Sequence, residues 1–223
     1  MIGSYPCPRV RWLGTREYTG VLAEMKAFSL GRGPHTGDEL WTLEHLPVYT
    51  LGIRGGREHV LDPGSIPVVP TDRGGQVTYH GPGQLVVYPL LDLARSGLRM
   101  RQVIASLEEA TLVTLARCGI AASAGGAPGV FVGPRKIASI GLRMAGRCCY
   151  HGMALNICTD LRPFDGIDPC GERGLVMTSV AQQGGRTDVQ SIADLLLPEL
   201  MAALARRAAG NRAAKPLPRH ETT

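Results

Sequence analysis

The sequence of 223 residues contains no apolar run of about eighteen, so no membrane-spanning helix is expected. The stretch from Met1 to Arg11 lacks the apolar centre of a secretory signal, which makes a cytoplasmic protein the natural expectation. The six cysteines, at 7, 118, 148, 149, 158 and 170, form no Cys-x-x-Cys pair. Cys148 and Cys149 are adjacent, which suits neither a zinc knuckle nor an easy disulfide. Free thiols in a reducing compartment are therefore expected, and no metal site. A P-loop, an EF-hand and a nucleophile-elbow serine are missing. There is no basic stripe with interleaved aromatics, so nucleic acid is not an expected partner. No internal repeat and no linker divides the chain.

Charge is distributed unevenly. The formal net charge is +5, but from Arg206 onward five basic residues stand against Glu221 alone, leaving +1 for the rest. The body still holds a local basic group, Arg54, Arg57, Arg73, Arg135, Lys136, Arg143 and Arg147. It could steer an acidic protein partner or simply be solvated surface. Apolar residues make up 44% of the chain, enough for one sizeable core. We expect a single domain over 1–207 and a disordered basic tail over 208–223.

Periodicity predicts helices over 16–30, 99–117 and 191–207, the last with Pro198 in its course. Strand-like runs fall at 10–13, 48–51, 66–69, 77–80, 85–93, 129–132, 136–144 and 149–157, with Gly146 marking a hairpin between the last two. Such an order predicts an α+β fold: a mixed, mainly antiparallel sheet covered by helices on one side.

The chemistry concentrates in a few segments. Arg73 to Gln84 packs four glycines with Arg73, Thr78, His80 and Gln84 between two strand-like runs. Glycine lets a backbone approach a ligand closely, although a plain glycine-rich turn has the same look. Lys136 opens an otherwise apolar strand, where a lysine is usually surface. Cys170 sits between Pro169 and Gly171 in a polar loop, unlike a core cysteine; reactive thiols occupy partly exposed, electropositive places. His80 and His151 are candidate bases or buried structural histidines.

Taken together these segments resemble the lipoyl(octanoyl) transferases, within the wider biotin/lipoate ligase fold group. The similarity spans roughly residues 40 to 185. It rests on Arg73, Gly74, Gly75, Thr78, Tyr79, His80, Gly83 and Gln84; on Ala127 to Val130; on Lys136 to Ser139; on His151, Gly152, Ala154 and Asn156; and on Pro169, Cys170 and Gly171. The resemblance implies a catalytic pair, Cys170 and Lys136. It also implies an acyl site built from Arg73, Gly74, Gly75, Gln76, Val77, Thr78, Tyr79, His80, Ser139, Ile140, Gly141, Gly152, Met153 and Ala154, with His151 in a positioning role. The reaction so implied needs no cofactor. An octanoyl group would pass from the phosphopantetheine thiol of acyl carrier protein to Cys170, and then to a lysine on a lipoyl domain of a 2-oxoacid dehydrogenase complex or of glycine-cleavage H protein.

The residue types suit that chemistry. An ammonium beside a thiol favours the thiolate. One lysine could protonate the leaving thiolate and later take a proton from the incoming amine. Oxyanion donors are also needed, and backbone N–H groups near Cys170 or Gly75 are candidates. Three alternatives remain at this point: an ATP-dependent lipoate or biotin ligase, a non-catalytic acyl- or carrier-binding module, and a cysteine hydrolase.

Overall fold

The structure, a computed structural model, describes residues 6–213. In chain order the elements are β1 (Arg9–Arg16), α1 (Tyr18–Leu30), β2 (Glu39–His45), β3 (Val48–Leu51), β4 (Val68–Pro70), β5 (Val77–His80), β6 (Gln84–Asp92), α2 (Leu93–Ser96), α3 (Met100–Arg117), β7 (Ser123–Ala124), β8 (Gly129–Val132), β9 (Arg135–Ala145), β10 (Cys148–Asn156) and α4 (Val189–Ala213).

A seven-stranded sheet runs in the order β1-β2-β6-β10-β9-β8-β7, antiparallel throughout except for the parallel β1–β2 pair. A separate three-stranded sheet runs β4-β3-β5. The expected mixed, mainly antiparallel α+β architecture is present. The expectation that helices cover one side is corrected: they cover both. All nine residues of β6 are buried. Leu85, Val87 and Leu91 pack in the core that holds α3 and α4, whereas Val86, Tyr88 and Leu90 pack with Val21 and Met25 of α1. A strand presents successive side chains to opposite faces, so a strand with an unbroken apolar run from Leu85 to Leu91 needs cover on both.

The hairpin of β9 and β10 turns at Gly146, whose φ is +57°. On its other edge β10 meets β6, and that ladder is interrupted. Cys149 pairs with Leu91 and Met153 with Val87, but the residues between have no partner. Pro89 lies in the gap and has no N–H to give to the ladder. Opposite it, His151 adopts φ +60°, and its ring stacks on that of Tyr150 at 4.8 Å. A Cβ on Gly152 would run into the Val87 carbonyl and stand 2.7 Å from the Pro89 ring, so the close approach there requires glycine.

A third core, built from Tyr49, Leu51, Val77 and Tyr79 with Phe164, Ile167 and Met177, joins the small sheet to the segments on either side of Cys170. The last helix outruns its expected end at Arg207 and continues across Pro198 to Ala213. Ala208 is fully buried, and the Asn211 side chain donates to Gly97 O and Gln102 Oε1, each at 2.7 Å. The expected disordered tail is thus helical over 208–213, and its remainder, 214–223, lies outside the described residues. No helix among the described residues is long and apolar enough to cross a membrane.

Candidate active site

Cys170 occupies a short turn, Pro169–Gly171, with φ +60° at Cys170 and +72° at Gly171. A non-glycine residue at such a φ is held there by its surroundings. Here the surroundings are hydrogen bonds on both sides of the turn. Asp168 N–H donates to His59 O at 2.9 Å, and Gly171 N–H to Asp168 O at 2.9 Å. Beyond the turn, the chain runs beside the start of β9. Lys136 N–H donates to Val176 O and Thr178 N–H to Lys136 O, both at 2.9 Å. The cysteine turn and the lysine strand are therefore fastened to each other through the main chain.

That fastening brings the two side chains into contact. Lys136 Nζ lies 3.2 Å from Cys170 Sγ and donates to Pro128 O at 3.3 Å. It also stands over the Phe131 ring at 5.3 Å. Lys136 is only 2% exposed, and among the described residues no carboxylate pairs with it. Gly129 makes room for its stem: φ there is +147°, and a Cβ would stand 2.6 Å from Lys136 Cε.

The pair opens on a cavity of about 230 Å³. Its walls include Arg73, Gly74, Gly75, Gln76, Val77, Thr78 and His80 from the glycine-rich segment, Ser139, Ile140 and Gly141 from β9, and His151, Gly152, Met153 and Ala154 from β10. Gly141 lets the two segments meet, since a Cβ there would stand 2.6 Å from Gly74 O, and Gly74 N–H donates to Leu142 O at 3.0 Å. Among the expected acyl-site residues, Tyr79 is the exception. Its side chain points away from the cavity into the third core, against Tyr49 and Phe164. The strand alternation that turns Thr78 and His80 inward turns Tyr79 out.

Tyr18, Tyr88, Met100, Ile104 and Leu142 also line the cavity and were not among the expected site residues; Arg54 lines it too and was expected only as part of the basic group. Their spacing is that of ordinary core or surface residues, and only the tertiary fold brings them here. Ala127 and Pro128, quoted as a motif without a role, line it as well.

The polar end of the cavity is a continuous buried network. Arg73 is 8% exposed. Its Nε and Nη2 donate to Thr50 Oγ1 at 3.0 and 2.8 Å, Nη2 to Thr50 O and Gln76 O at 2.7 Å, and Nη1 to Gly74 O at 2.9 Å. Thr50 Oγ1 has its own proton left and meets His80 Nε2 at 3.4 Å. His80 Nδ1 donates to Gln84 Oε1 at 2.8 Å; Gln84 Nε2 donates to Asn156 Oδ1 at 2.9 Å; Asn156 Nδ2 donates to Thr178 O at 3.0 Å. Burial, with the neighbouring His45 and Arg73, pushes His80 well below the usual histidine range. Both of its nitrogens are engaged, so it orients the network and is not placed to take a proton from Cys170.

His151 is similarly held. Burial pushes it down to about 4 against the pull of Asp72, and its Nε2 donates to Asp72 Oδ1 at 2.9 Å. Asp72 also accepts from Tyr150 OH at 2.5 Å and pairs with Lys26 at 3.1 Å. Burial raises Asp72, but the bonds from His151, Tyr150 and Lys26 outweigh it and hold the carboxyl well below the usual range. The neutral His45 completes the set. Burial pushes it down to about 4; Nδ1–H donates to Arg16 O at 3.0 Å, so Nε2 accepts from Tyr88 OH at 2.8 Å.

This site pairs a buried lysine with a half-buried cysteine on the wall of a mostly apolar slot. Residues 22–207 match the lipoyl protein ligase A/B catalytic domain. The chain belongs to that family. Family members resembling it over most of its length include the octanoyltransferase of Alkalilimnicola ehrlichii, 53% identical over 191 residues, covering 85% of this chain and 89% of the relative. Another is the octanoyltransferase of Methylococcus capsulatus, 51% identical, covering 87% and 95%. Among solved structures, the bi-partite lipoate protein ligase of Thermoplasma acidophilum superposes with a TM-score of 0.70 at 18% identity, covering 91% of each chain. The biotin protein ligase of Aquifex aeolicus does so with a TM-score of 0.55 at 12% identity, covering 92% of this chain and 72% of that one. The family fold is thus shared at low identity, and it is the fold expected from the sequence motifs.

Proposed function

We propose that the chain is an octanoyltransferase of protein lipoylation, working through an acyl-enzyme on Cys170. The observation that carries the mechanism is the 3.2 Å contact between Lys136 Nζ and Cys170 Sγ on the wall of an apolar slot. Membership of the family and the close octanoyltransferase relatives support the substrate class.

The donor is an octanoyl thioester on the phosphopantetheine of acyl carrier protein. A buried ammonium without a counter-charge is unfavourable, and a thiolate on Cys170 supplies one. That thiolate attacks the thioester carbonyl. A bond forms between Sγ and the carbonyl carbon, the bond to the carrier sulfur breaks, and Lys136 Nζ gives the leaving thiolate its proton. Lys136 is now neutral beside a neutral thioester. In the second half-reaction a lysine amine of a lipoyl domain attacks the same carbon. Lys136 takes a proton from the amine, the amide forms, and Cys170 leaves as the thiolate beside a restored ammonium. One residue serves as acid and then as base, and the sum consumes no nucleotide. The acceptors are lipoyl domains of 2-oxoacid dehydrogenase complexes and glycine-cleavage H protein.

The slot supplies chain recognition. Each methylene buried contributes about 0.8 kcal/mol, so a chain of this class gains several kcal/mol along the walls of β9 and β10. The glycines at 74, 141 and 152 bring the backbones close enough to form those walls. The test is transfer itself. Octanoyl-carrier protein, this protein and an apo lipoyl domain are mixed without ATP, and the lipoyl domain is weighed by mass spectrometry. Octanoylated domain is expected. Free octanoate with unmodified domain would point to a hydrolase, and a strict need for ATP to a ligase.

A further inference from the structure

The acyl transfer described above develops negative charge on the carbonyl oxygen, and something must donate to it. Of the cysteine turn's N–H groups, that of Cys170 alone makes no hydrogen bond among the described residues. Gly171 N–H is committed to Asp168 O at 2.9 Å and Glu172 N–H to Pro169 O at 3.1 Å. Arg73 faces the cavity but spends its nitrogens on Thr50, Gly74 and Gln76 oxygens. Lys136 is occupied with the sulfur and with moving the proton.

Gln76 is different. Its main-chain oxygen is used by Arg73, but its carboxamide makes no hydrogen bond among the described residues, and Oε1 is sealed from solvent without a partner. The same side chain lines the cavity with Cys170. It also lies directly on the cysteine turn: a Cβ at Gly171 would stand 2.8 Å from Gln76 Cδ and 2.9 Å from Nε2. Nε2, unlike Oε1, is not sealed off, so an unbonded amide N–H lies beside the nucleophile's turn, where it can donate to a ligand oxygen.

We infer that Gln76 is a catalytic residue: its side-chain N–H groups donate to the thioester carbonyl oxygen and to the oxyanion that forms there in both half-reactions. The proposal rests on the Cys170 acyl-enzyme reading. It sets a side chain held against the cysteine turn beside the Cys170 N–H, and it gives Gly171 a second reason, besides its φ of +72°, to be glycine, because a Cβ there would displace the amide.

The test uses the full chain and octanoyl pantetheine labelled with a heavy isotope at its carbonyl carbon. Wild type and Gln76→Met, which keeps the length and removes the donor, are loaded, and the isotope-edited infrared band of the enzyme thioester is recorded. Single-turnover rates of loading and of transfer to a lipoyl domain are measured alongside. A donated hydrogen bond lowers the carbonyl stretch, so the band is expected to move to higher frequency in the variant. Both half-reactions are expected to slow by about 10²-fold with KM little changed. If Gln76→Met fails to fold, as read by circular dichroism, Gln76→Leu takes its place with the same readouts. A variant that loads with an unmoved band and rates close to wild type overturns the inference alone. A band that moves in Thr78→Val while staying fixed in the Gln76 variant assigns the bond to Thr78 and also overturns it. A wild type that takes up no octanoyl group overturns the acyl-enzyme reading and this inference with it.

Discussion

At the scale of single residues, the account assigns Lys136 a proton to give and a proton to take. Lys136→Ala should therefore slow both half-reactions, each by about 10²- to 10⁴-fold, in single-turnover assays of loading and transfer. If only transfer slowed, the ammonium's part in forming the thiolate would be wrong. A second prediction concerns Thr50, which accepts twice from Arg73 and faces His80. Thr50→Val leaves a buried guanidinium and a buried imidazole short of partners, and should cost about 1–3 kcal/mol in urea unfolding. A neutral result there would mean that the network relaxes around the loss. Cys170, Lys136 and the glycine-rich segment were legible in the sequence because their chemistry sits in short contiguous motifs. Thr50, Tyr18 and Tyr88 were not. Each belongs to a strand or helix whose pattern reads as plain core, and only the fold brings Tyr18 and Tyr88 to the cavity and Thr50 to Arg73. Tyr79 failed for the opposite reason: it lies within the motif, but β5 turns it outward into another core.

At the scale of elements, β9 and β10 form the floor of the slot, and the glycine-rich segment lies across them at Gly141 and Gly74. Gly141→Val should push Gly74 and Arg73 away from β9. We expect octanoyl loading to be lost while a small alkylating reagent still reaches Cys170, with overpacking costing about 1–3 kcal/mol in thermal unfolding. Loading that survives would show that the segment can lift without harm. The hairpin at Gly146 and the strands on either side of it were readable because period-two patterning and a turn glycine agree. The division into two sheets was not, since β3 is buried at all four positions and gives no alternation to say which sheet it joins. The cover on both faces of β6 was legible in principle, since its run from Leu85 to Leu91 is apolar without alternation, but one-sided helices were expected instead. The last helix continues past 207 because Ala208 and Asn211 find partners on α3 and nearby, and those partners are distant in sequence.

At the scale of the whole molecule, buried neutral histidines couple stability to pH. Burial holds His45 and His151 at about 4, against an ordinary histidine value of 6.5. In that interval the unfolded chain binds protons that the folded one does not, so stability is complete above about pH 6.5 and falls as pH drops toward 4. The midpoint of urea unfolding should decline steadily from pH 7 to pH 4.5, and His45→Gln should flatten the decline. A midpoint constant over that range would contradict the protonation states assigned here. The same arrangement keeps the histidines at the polar end of the slot neutral beside the charge of Arg73, while the proposed reaction puts the acyl group on Cys170. Intact-mass measurement after mixing the protein with octanoyl-carrier protein tests that claim most directly. One octanoyl group should appear on wild type, map to Cys170, be absent from Cys170→Ala, and leave on addition of an apo lipoyl domain. An adduct that persists in Cys170→Ala, or one that the lipoyl domain cannot remove, would contradict the account.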